Sequence, residues 1–449
     1  MTLTAPAAAA RPRLLSPAYA VTTVGMFALC ALVAFEALAV TTVMPTVADE
    51  LDGVGLYALS FAAPLASGVV GMVTAGAWSD RRGPVAPLIA ALVLFALGLL
   101  ACGTAPSMEV LVGGRVLQGL GGGALTVGLY VLVGLVFPPV LQPAIFASFA
   151  AAWVLPSLFG PALAAFVAHT IGWRWVFLGA VALAAGAGAL VAPALRRVGT
   201  TNAGARTPRS RLAWAVVGAV AVLSLDAFPP AAIVVLLALR KLLPAGALLG
   251  RRGLPAVIGT RGLMSASFFA AEAYIVFVLE ENWGLTAGVA GLALTAVGVT
   301  WAAASQVQSR LGDRVSHTTV MRWGTGLLLV GTVALALAMR VHAHPALVMA
   351  AYVVAGAGMG LGFPRTGVAM LAASTDGDRG FNSSALSIAD SLGGALALSV
   401  SGVVFAVAEE AGTDPFVPVY VLAIALAGLA VVTAGRTGHG SRTASSTSP

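Results

Sequence analysis

Glu36, Glu272 and Asp390 are carboxylates embedded in long apolar stretches, and Arg115 is a guanidinium placed the same way. From Ala20 to Ala48, a run of 29 residues, Glu36 is the single charged side chain. A helix of roughly 20 apolar residues crosses about 30 Å of hydrocarbon, and a charge facing lipid at that depth is costly. Such a carboxylate therefore faces protein or a watery cavity. There it can carry a proton, contact a cationic ligand, or bond structurally to a neighbouring helix, and all three roles are open for Glu36. Burial raises a carboxyl pKa and a nearby cation lowers it, so a group alternating between wet and dry surroundings can load and release a proton near neutral pH.

Arg115 is the natural counter-charge. Counting from the nearer helix ends puts Glu36 about 18 Å and Arg115 about 10 Å below the same surface, a gap that two long side chains can close. Bonds from Arg115 to backbone carbonyls are the alternative. Glu272 follows Glu36 by 236 residues, 11 beyond Arg261 and eight before Glu280, which sets it near the midplane. Phe268, Phe269 and Tyr274 flank it, and apolar rings beside a lone carboxylate suit an amphiphilic cation. A carboxylate hydrogen-bonded to a Ser or Tyr is the plainer reading. Asp390, in Ser387-Ile-Ala-Asp390-Ser391, lies a turn or two inside one surface and reads as a gate, a helix cap or a further coupling group.

The elements that must position these groups are transmembrane helices. The chain is 59% hydrophobic and 9% charged, whereas soluble domains carry about 25% charged residues, and its mean hydropathy is +0.97. An all-α polytopic membrane protein follows. The pI near 10.1 has a topological explanation and does not call for a nucleic-acid partner. Cys30 and Cys102 both fall inside apolar runs, so no disulfide or metal site is expected. No nucleophile, metal or phosphate-loop constellation points to an enzyme. Arg11 and Arg13 precede an apolar run too long for a secretory h-region, so the first helix is expected to be retained.

Apolar runs fall at 20–48, 55–78, 85–105, 108–137, 142–170 and 175–195, and again at 262–279, 285–308, 316–339, 345–363, 383–408 and 415–435. They give two six-helix bundles, 20–195 and 262–435. A basic linker at 196–211, an extra hairpin at 212–243 and a basic segment at 244–261 are expected between them, with tails at 1–19 and 436–449. The hairpin reads as two further spans, for 14 in all, although its runs are short enough for a re-entrant form. With the N-terminus cytoplasmic, exterior loops hold ten acids against two bases, Arg174 and Arg340. The cytoplasmic side then holds 21 bases against four acids, Asp80, Asp313, Asp376 and Asp378. The positive-inside rule favours this orientation, with both termini cytoplasmic.

The halves repeat. Gly76-Ala-Trp-Ser-Asp80-Arg81-Arg82-Gly83-Pro84 follows the second run, and Ser309-Arg-Leu-Gly-Asp313-Arg314-Val-Ser316 occupies the corresponding loop, so Asp-Arg recurs after 233 residues. The Gly-rich stretch from Gly119 matches that from Gly356, and Gly160-Pro161 matches Gly393-Gly394, at offsets of 237 and 233. Parallel repeats of six helices with a substrate site between them are a known transporter plan. Asp80 and Arg81 suit a latch that pairs with, or caps, a helix of the other half; a tight turn at Gly83 with solvated charges is the alternative. The glycines at 119, 121, 122 and 123 and at 356, 358, 360 and 362 suit close helix packing.

These residues resemble the major facilitator superfamily. The first loop is similar to its signature G-x-L-x-D-R-x-G-R-[KR] at Gly76, Asp80, Arg81 and Gly83, with Trp78 for Leu and Pro84 for Arg. Arg115, Gln118, Gly119 and Gly121 resemble the proton-coupled pattern R-x-x-Q-G-x-G. Gly160-Pro161 resembles the antiporter motif G-P-x-x-G-G, with Ala147 and Pro156 where upstream glycines are usual. Glu36 through Pro45 is similar to the D-x-T-x-x-N-x-A-x-P element of the 14-helix drug:proton antiporter branch, with Glu for Asp and Thr41 for Asn; Gly172-Trp-Arg-Trp-Val-Phe177 also fits that branch. The resemblance implies that helices one, four, seven and ten line a central cavity, which would hold Glu36 and Arg115.

The expected function is proton-driven export of hydrophobic or cationic small molecules by alternating access. Protonation of Glu36 or Glu272 would release the substrate outward. The alternatives are a narrow-specificity metabolite or natural-product exporter, an uptake symporter and, from another class, a non-transporting membrane sensor. The expected partners are the small-molecule substrate, protons and the bilayer of the plasma membrane. A monomer powered by the proton gradient, with neither cofactor nor metal, is expected.

Overall fold

The computed structural model describes residues 13–198, 209–225 and 228–438, and among them every regular element is helical. Most of the expected 196–211 linker, and most of both terminal tails, lie outside the described residues. The helices are α1 (Ala20–Glu50), α2 (Tyr57–Arg82), α3 (Val85–Gly103), α4 (Met108–Val136), α5 (Gln142–Ile171), α6 (Arg174–Arg197), α7 (Arg209–Leu223), α8 (Ala231–Leu242), α9 (Leu254–Trp283), α10 (Ala287–Leu311), α11 (His317–Arg340), α12 (Pro345–Ala372), α13 (Arg379–Glu410) and α14 (Phe416–Ala434). Twelve of these, α1–α6 and α9–α14, are long and apolar enough to cross a membrane.

Packing reproduces the repeat. In the first half α1 packs on α5 and α6, α4 on α2 and α3, and α3 on α6; in the second, α9 packs on α13 and α14, α12 on α10 and α11, and α11 on α14. The glycine stripes explain how α4 and α12 fit between two neighbours. On α4, Gly119 and Gly123 press on α2 while Gly121 presses on α3; on α12, Gly356 and Gly360 face α10 while Gly358 faces α11. A methyl group on Gly121 would meet the Ala91 carbonyl oxygen at 2.7 Å, and one on Gly358 the Gly324 carbonyl oxygen at 2.6 Å. Alternate glycines therefore admit close backbone approach on two sides of one helix.

The hairpin helices α7 and α8 have 15 and 12 residues, about 22 and 18 Å of helix against about 30 Å of hydrocarbon. They pack on each other and against α2 and α13. Two helix ends differ from the apolar runs. α9 begins at Leu254, with Pro255 in its first turn, whereas the apolar run begins at 262; α12 continues past 363 to Ala372. Arg261 and Arg365, counted above with the loop bases, are thus helical and buried, at 2% and 0% exposure. The protein supplies their partners: Arg365 donates to the Gln308 and Gly312 carbonyls at 3.0 and 2.8 Å.

Candidate functional site

α1 carries Glu36 to the centre of the first bundle, where it is buried and forms an ion pair with Arg115 of α4. Arg115 also donates from Nε to the Ser60 carbonyl at 2.9 Å and from a guanidinium nitrogen to Gln118 Oε1 at 3.1 Å. Gln118, one helical turn beyond Arg115, donates its amide to Glu36 at 3.3 Å. Both readings of Arg115 therefore hold at once, since it serves a carboxylate and a backbone carbonyl. Gly160 of α5 packs on Phe35 and Leu38, the α1 turn that contains Glu36, and Pro161 follows it in α5.

Glu272 of α9 has different company. Its carboxylate lies beside the hydroxyl of Tyr352 on α12, which is buried and makes no hydrogen bond of ordinary geometry. Phe268, one turn before Glu272, stacks on Tyr352 at 5.7 Å and meets Phe269 and Trp301 edge-on at 5.8 and 5.2 Å. Trp301 in turn meets Phe363. Tyr274 is not part of this group. At 100° per residue it lies about 200° around α9 from Glu272, and it stacks on Phe405 of α13 at 5.1 Å.

Asp390 of α13 pairs with Arg261 of α9 at 3.1 Å and accepts a hydrogen bond from Ser265. Arg261 Nη2 also donates to the Tyr130 hydroxyl on α4 at 3.1 Å, while Nη1 donates to the Phe363 carbonyl and to Thr366 at 3.0 and 3.1 Å. Tyr130, Tyr352 and Arg261 are the functional candidates that sequence reasoning missed. The two tyrosines look ordinary in apolar runs; Arg261 had a signal in Pro255, a residue suited to the first turn of a helix.

The loop motif joins the halves. Asp80 is buried and accepts from the Gly380 and Phe381 backbone N–H groups at 2.6 and 2.7 Å, capping the start of α13. A methyl at Gly76 would meet the Gly380 carbonyl at 2.5 Å, and Gly83 turns the chain with φ +77°. Arg211 of α7 lies over the Phe381 ring at 3.9 Å. In the second loop Arg314 is exposed, the Asp313 side chain lies outside the described residues, and Gln308 reaches the Pro143 carbonyl of α5 at 3.1 Å. All these bonds between halves lie toward the end carrying the basic loops. At the opposite end, Glu50 binds Trp173 and Arg174 at 2.8 and 2.5 Å within the first half, and Trp283 binds the Ala343 carbonyl at 2.9 Å within the second. The described hydrogen bonds between bundles thus close one end and leave the other without such a link.

A cavity of about 320 Å³ between α1, α3, α4 and α6 is lined by none of the carboxylates named above. No group of three or more metal-ligating side chains occurs among the described residues.

A family profile described as Major Facilitator Superfamily matches residues 25–277 and 257–447. A probable multidrug-efflux transporter of Mycobacterium tuberculosis is 34% identical over 173 residues, 38% of this chain and 36% of that one. Multidrug resistance protein 3 of Bacillus subtilis is 32% identical over 138 residues, 31% and 27% of the two chains. The match thus spans about a third of these relatives' length. The human organic anion transporter MFSD10 has the same fold, with a TM-score of 0.70 at 15% identity over 92% of this chain and 100% of that one. The Escherichia coli fucose:proton symporter gives 0.65 at 15% identity over 93% and 100%. Twelve membrane-crossing helices in two repeated bundles, the loop motif between them and a profile spanning nearly the whole chain lead to one conclusion: this protein belongs to the major facilitator superfamily of membrane transporters.

Proposed function

We propose that the protein exports hydrophobic or cationic small molecules in exchange for protons, from a plasma membrane with both termini cytoplasmic. The observation that carries this reading is the buried Glu36–Arg115–Gln118 cluster. A carboxylate paired with a guanidinium deep in a bundle is costly to leave unpaired, so a change of conformation that separates the two must supply another partner, which is the requirement for coupling. The multidrug-efflux names of partial relatives support the substrate class, and the aromatic rings around Glu272 suit a lipophilic cation. On this orientation the closed end is cytoplasmic, so the described conformation faces outward.

The cycle is competitive. A proton from outside neutralises a cavity carboxylate and displaces the cation outward; loss of that proton inside restores affinity. Substrate affinity therefore rises with pH, because deprotonation supplies the anion the cation needs. Purified protein in weak buffer is expected to release protons on adding a lipophilic cation, and Glu36→Gln to abolish proton-driven efflux in vesicles. Efflux that persists undiminished in Glu36→Gln removes Glu36 from the coupling role.

A further inference from the structure

We infer that Tyr130, Arg261 and Asp390 form a lock between the two halves, in which Arg261 holds Tyr130 only while Asp390 carries its charge. The setting rests on the exporter reading above; the geometry and the test do not.

Arg261 is 2% exposed and contributes one nitrogen, Nη2, to both Asp390 in its own half and Tyr130 in the other, each at 3.1 Å. Its second terminal nitrogen is fixed by the Phe363 carbonyl and Thr366 on α12, and the guanidinium lies over the Phe363 ring. The groups facing this pair are Ser265 from α9, Tyr130 from α4 with Cys30 of α1 near it, and Thr366 from α12. Among the described residues Asp390 is the acid that pairs with Arg261. A buried guanidinium left without its carboxylate is poorly tolerated and moves toward water. Here that movement takes the partner from Tyr130, the α4 side of a cross-half bond lying inward of the Asp80 latch. Neutralising Asp390 thus loosens the halves at the closed end. In an exporter driven by protons entering from outside, this is the required direction, since the proton-loaded form must open inward.

The lock also gives the aromatic chain a role. Tyr352, Phe268, Trp301 and Phe363 are in successive ring contact from Glu272 to Arg261. A shift of rings around an occupied Glu272 therefore reaches the guanidinium directly.

The test is accessibility. Ser387 lies one turn before Asp390 on α13 and is 3% exposed. Ser387→Cys, in a full chain carrying Cys30→Ser and Cys102→Ser, reports opening through its rate of reaction with a membrane-impermeant maleimide in inside-out vesicles. Asp390→Asn is expected to raise that rate about tenfold, and Tyr130→Phe about fivefold, within the usual span of coupling effects. Tyr130→Phe keeps the ring contacts with Phe146 and Phe149, so its fold is retained. The double variant is expected to react no faster than Asp390→Asn, because both changes open one lock. Labelling of both single variants at the parent rate, while Asp80→Asn accelerates it, overturns the lock; so does a double variant whose effect is the product of the two. Accelerated labelling in a protein that moves no substrate keeps the lock and overturns the exporter reading.

Discussion

Glu36 and Glu272 stand on the first helix of each repeat, yet their surroundings are opposite in kind. Glu36 is neutralised by Arg115 and bridged by Gln118. Glu272 has a tyrosine hydroxyl and aromatic rings, and no basic side chain among the described residues pairs with it. A repeated backbone has thus been given one compensated and one uncompensated carboxylate. On the proposed exporter reading, a cationic substrate would find its missing counter-charge at Glu272, whereas at Glu36 it would compete with a guanidinium already in place. On that reading coupling falls chiefly to the first half and cation selection chiefly to the second.

The same substitution in the two halves breaks the comparison most sharply. Glu36→Gln leaves Arg115 buried and unpaired, a change that costs about 3–5 kcal/mol. Glu272→Gln strands no cation and is expected to leave stability within about 1 kcal/mol. Thermal unfolding of the two variants in detergent measures the difference directly. A loss of no more than about 1 kcal/mol in Glu36→Gln would show that Arg115 does not depend on Glu36, and the asymmetry would fall.

How much of this was legible in the sequence follows from where the signals are local. Glu36 stood out because a charge in a 29-residue apolar run is itself anomalous, Arg115 because helix rise left a gap of about 8 Å in depth that two long side chains can close, and Gln118 only through the resemblance of its stretch to a family motif. The loop motif was legible through its repetition, and its Asp80 proves to cap α13. Arg261 was misplaced because the stretch 254–260 between arginines looks like a loop; what makes it helical is burial against α13 and the partner Asp390, 129 residues away. Tyr352 carried no signal at all. Its importance lies in standing opposite Glu272, and a tyrosine at that spacing is as ordinary as any core residue. Tyr274 erred in the other direction, close in sequence but on another face of its helix.

The next effect concerns how the halves are tied. Asp80→Asn keeps the size of the side chain but leaves one acceptor oxygen for two backbone N–H groups, so one hydrogen bond is lost and the other loses its charge, each of the charge-assisted kind worth about 1.5–3 kcal/mol. Part of that loss falls on the closed conformation alone, so labelling of the Ser387→Cys reporter in inside-out vesicles is expected to accelerate while the half-to-half difference between Glu36 and Glu272 persists. If Asp80→Asn also erases the difference in stability between Glu36→Gln and Glu272→Gln, the carboxylates report on closure rather than on their own partners.

Glu272→Gln then tests selection itself. Loss of the uncompensated anion is expected to weaken a lipophilic cation about tenfold, or 1.4 kcal/mol, and to leave a neutral substrate of similar size unchanged. Tryptophan fluorescence titration with matched cationic and neutral compounds checks this, since Trp301 touches Phe268 in the same group. Equal weakening of both compounds would mean that Glu272 shapes the pocket rather than supplying charge.

The smallest effect separates the hydroxyl of Tyr352 from its ring. Tyr352→Phe retains the stack on Phe268 and deletes a buried hydroxyl that makes no ordinary hydrogen bond. Removing an unsatisfied polar group is neutral or slightly stabilising, by about 0–1 kcal/mol, so the unfolding temperature is expected to hold or rise. Cation binding moves the other way. On the proposed reading the hydroxyl turns to donate to the Glu272 carboxylate only when a cation is bound, so its loss is expected to cost about two- to fivefold in affinity for a cation at fixed pH, with a neutral compound unaffected. Stability and binding thus change in opposite senses, which a merely structural tyrosine does not produce. At Glu36 the ion pair with Arg115 both orients and neutralises the carboxylate, so its removal changes stability and binding together, and that contrast carries the distinction between the two halves down to a single oxygen atom.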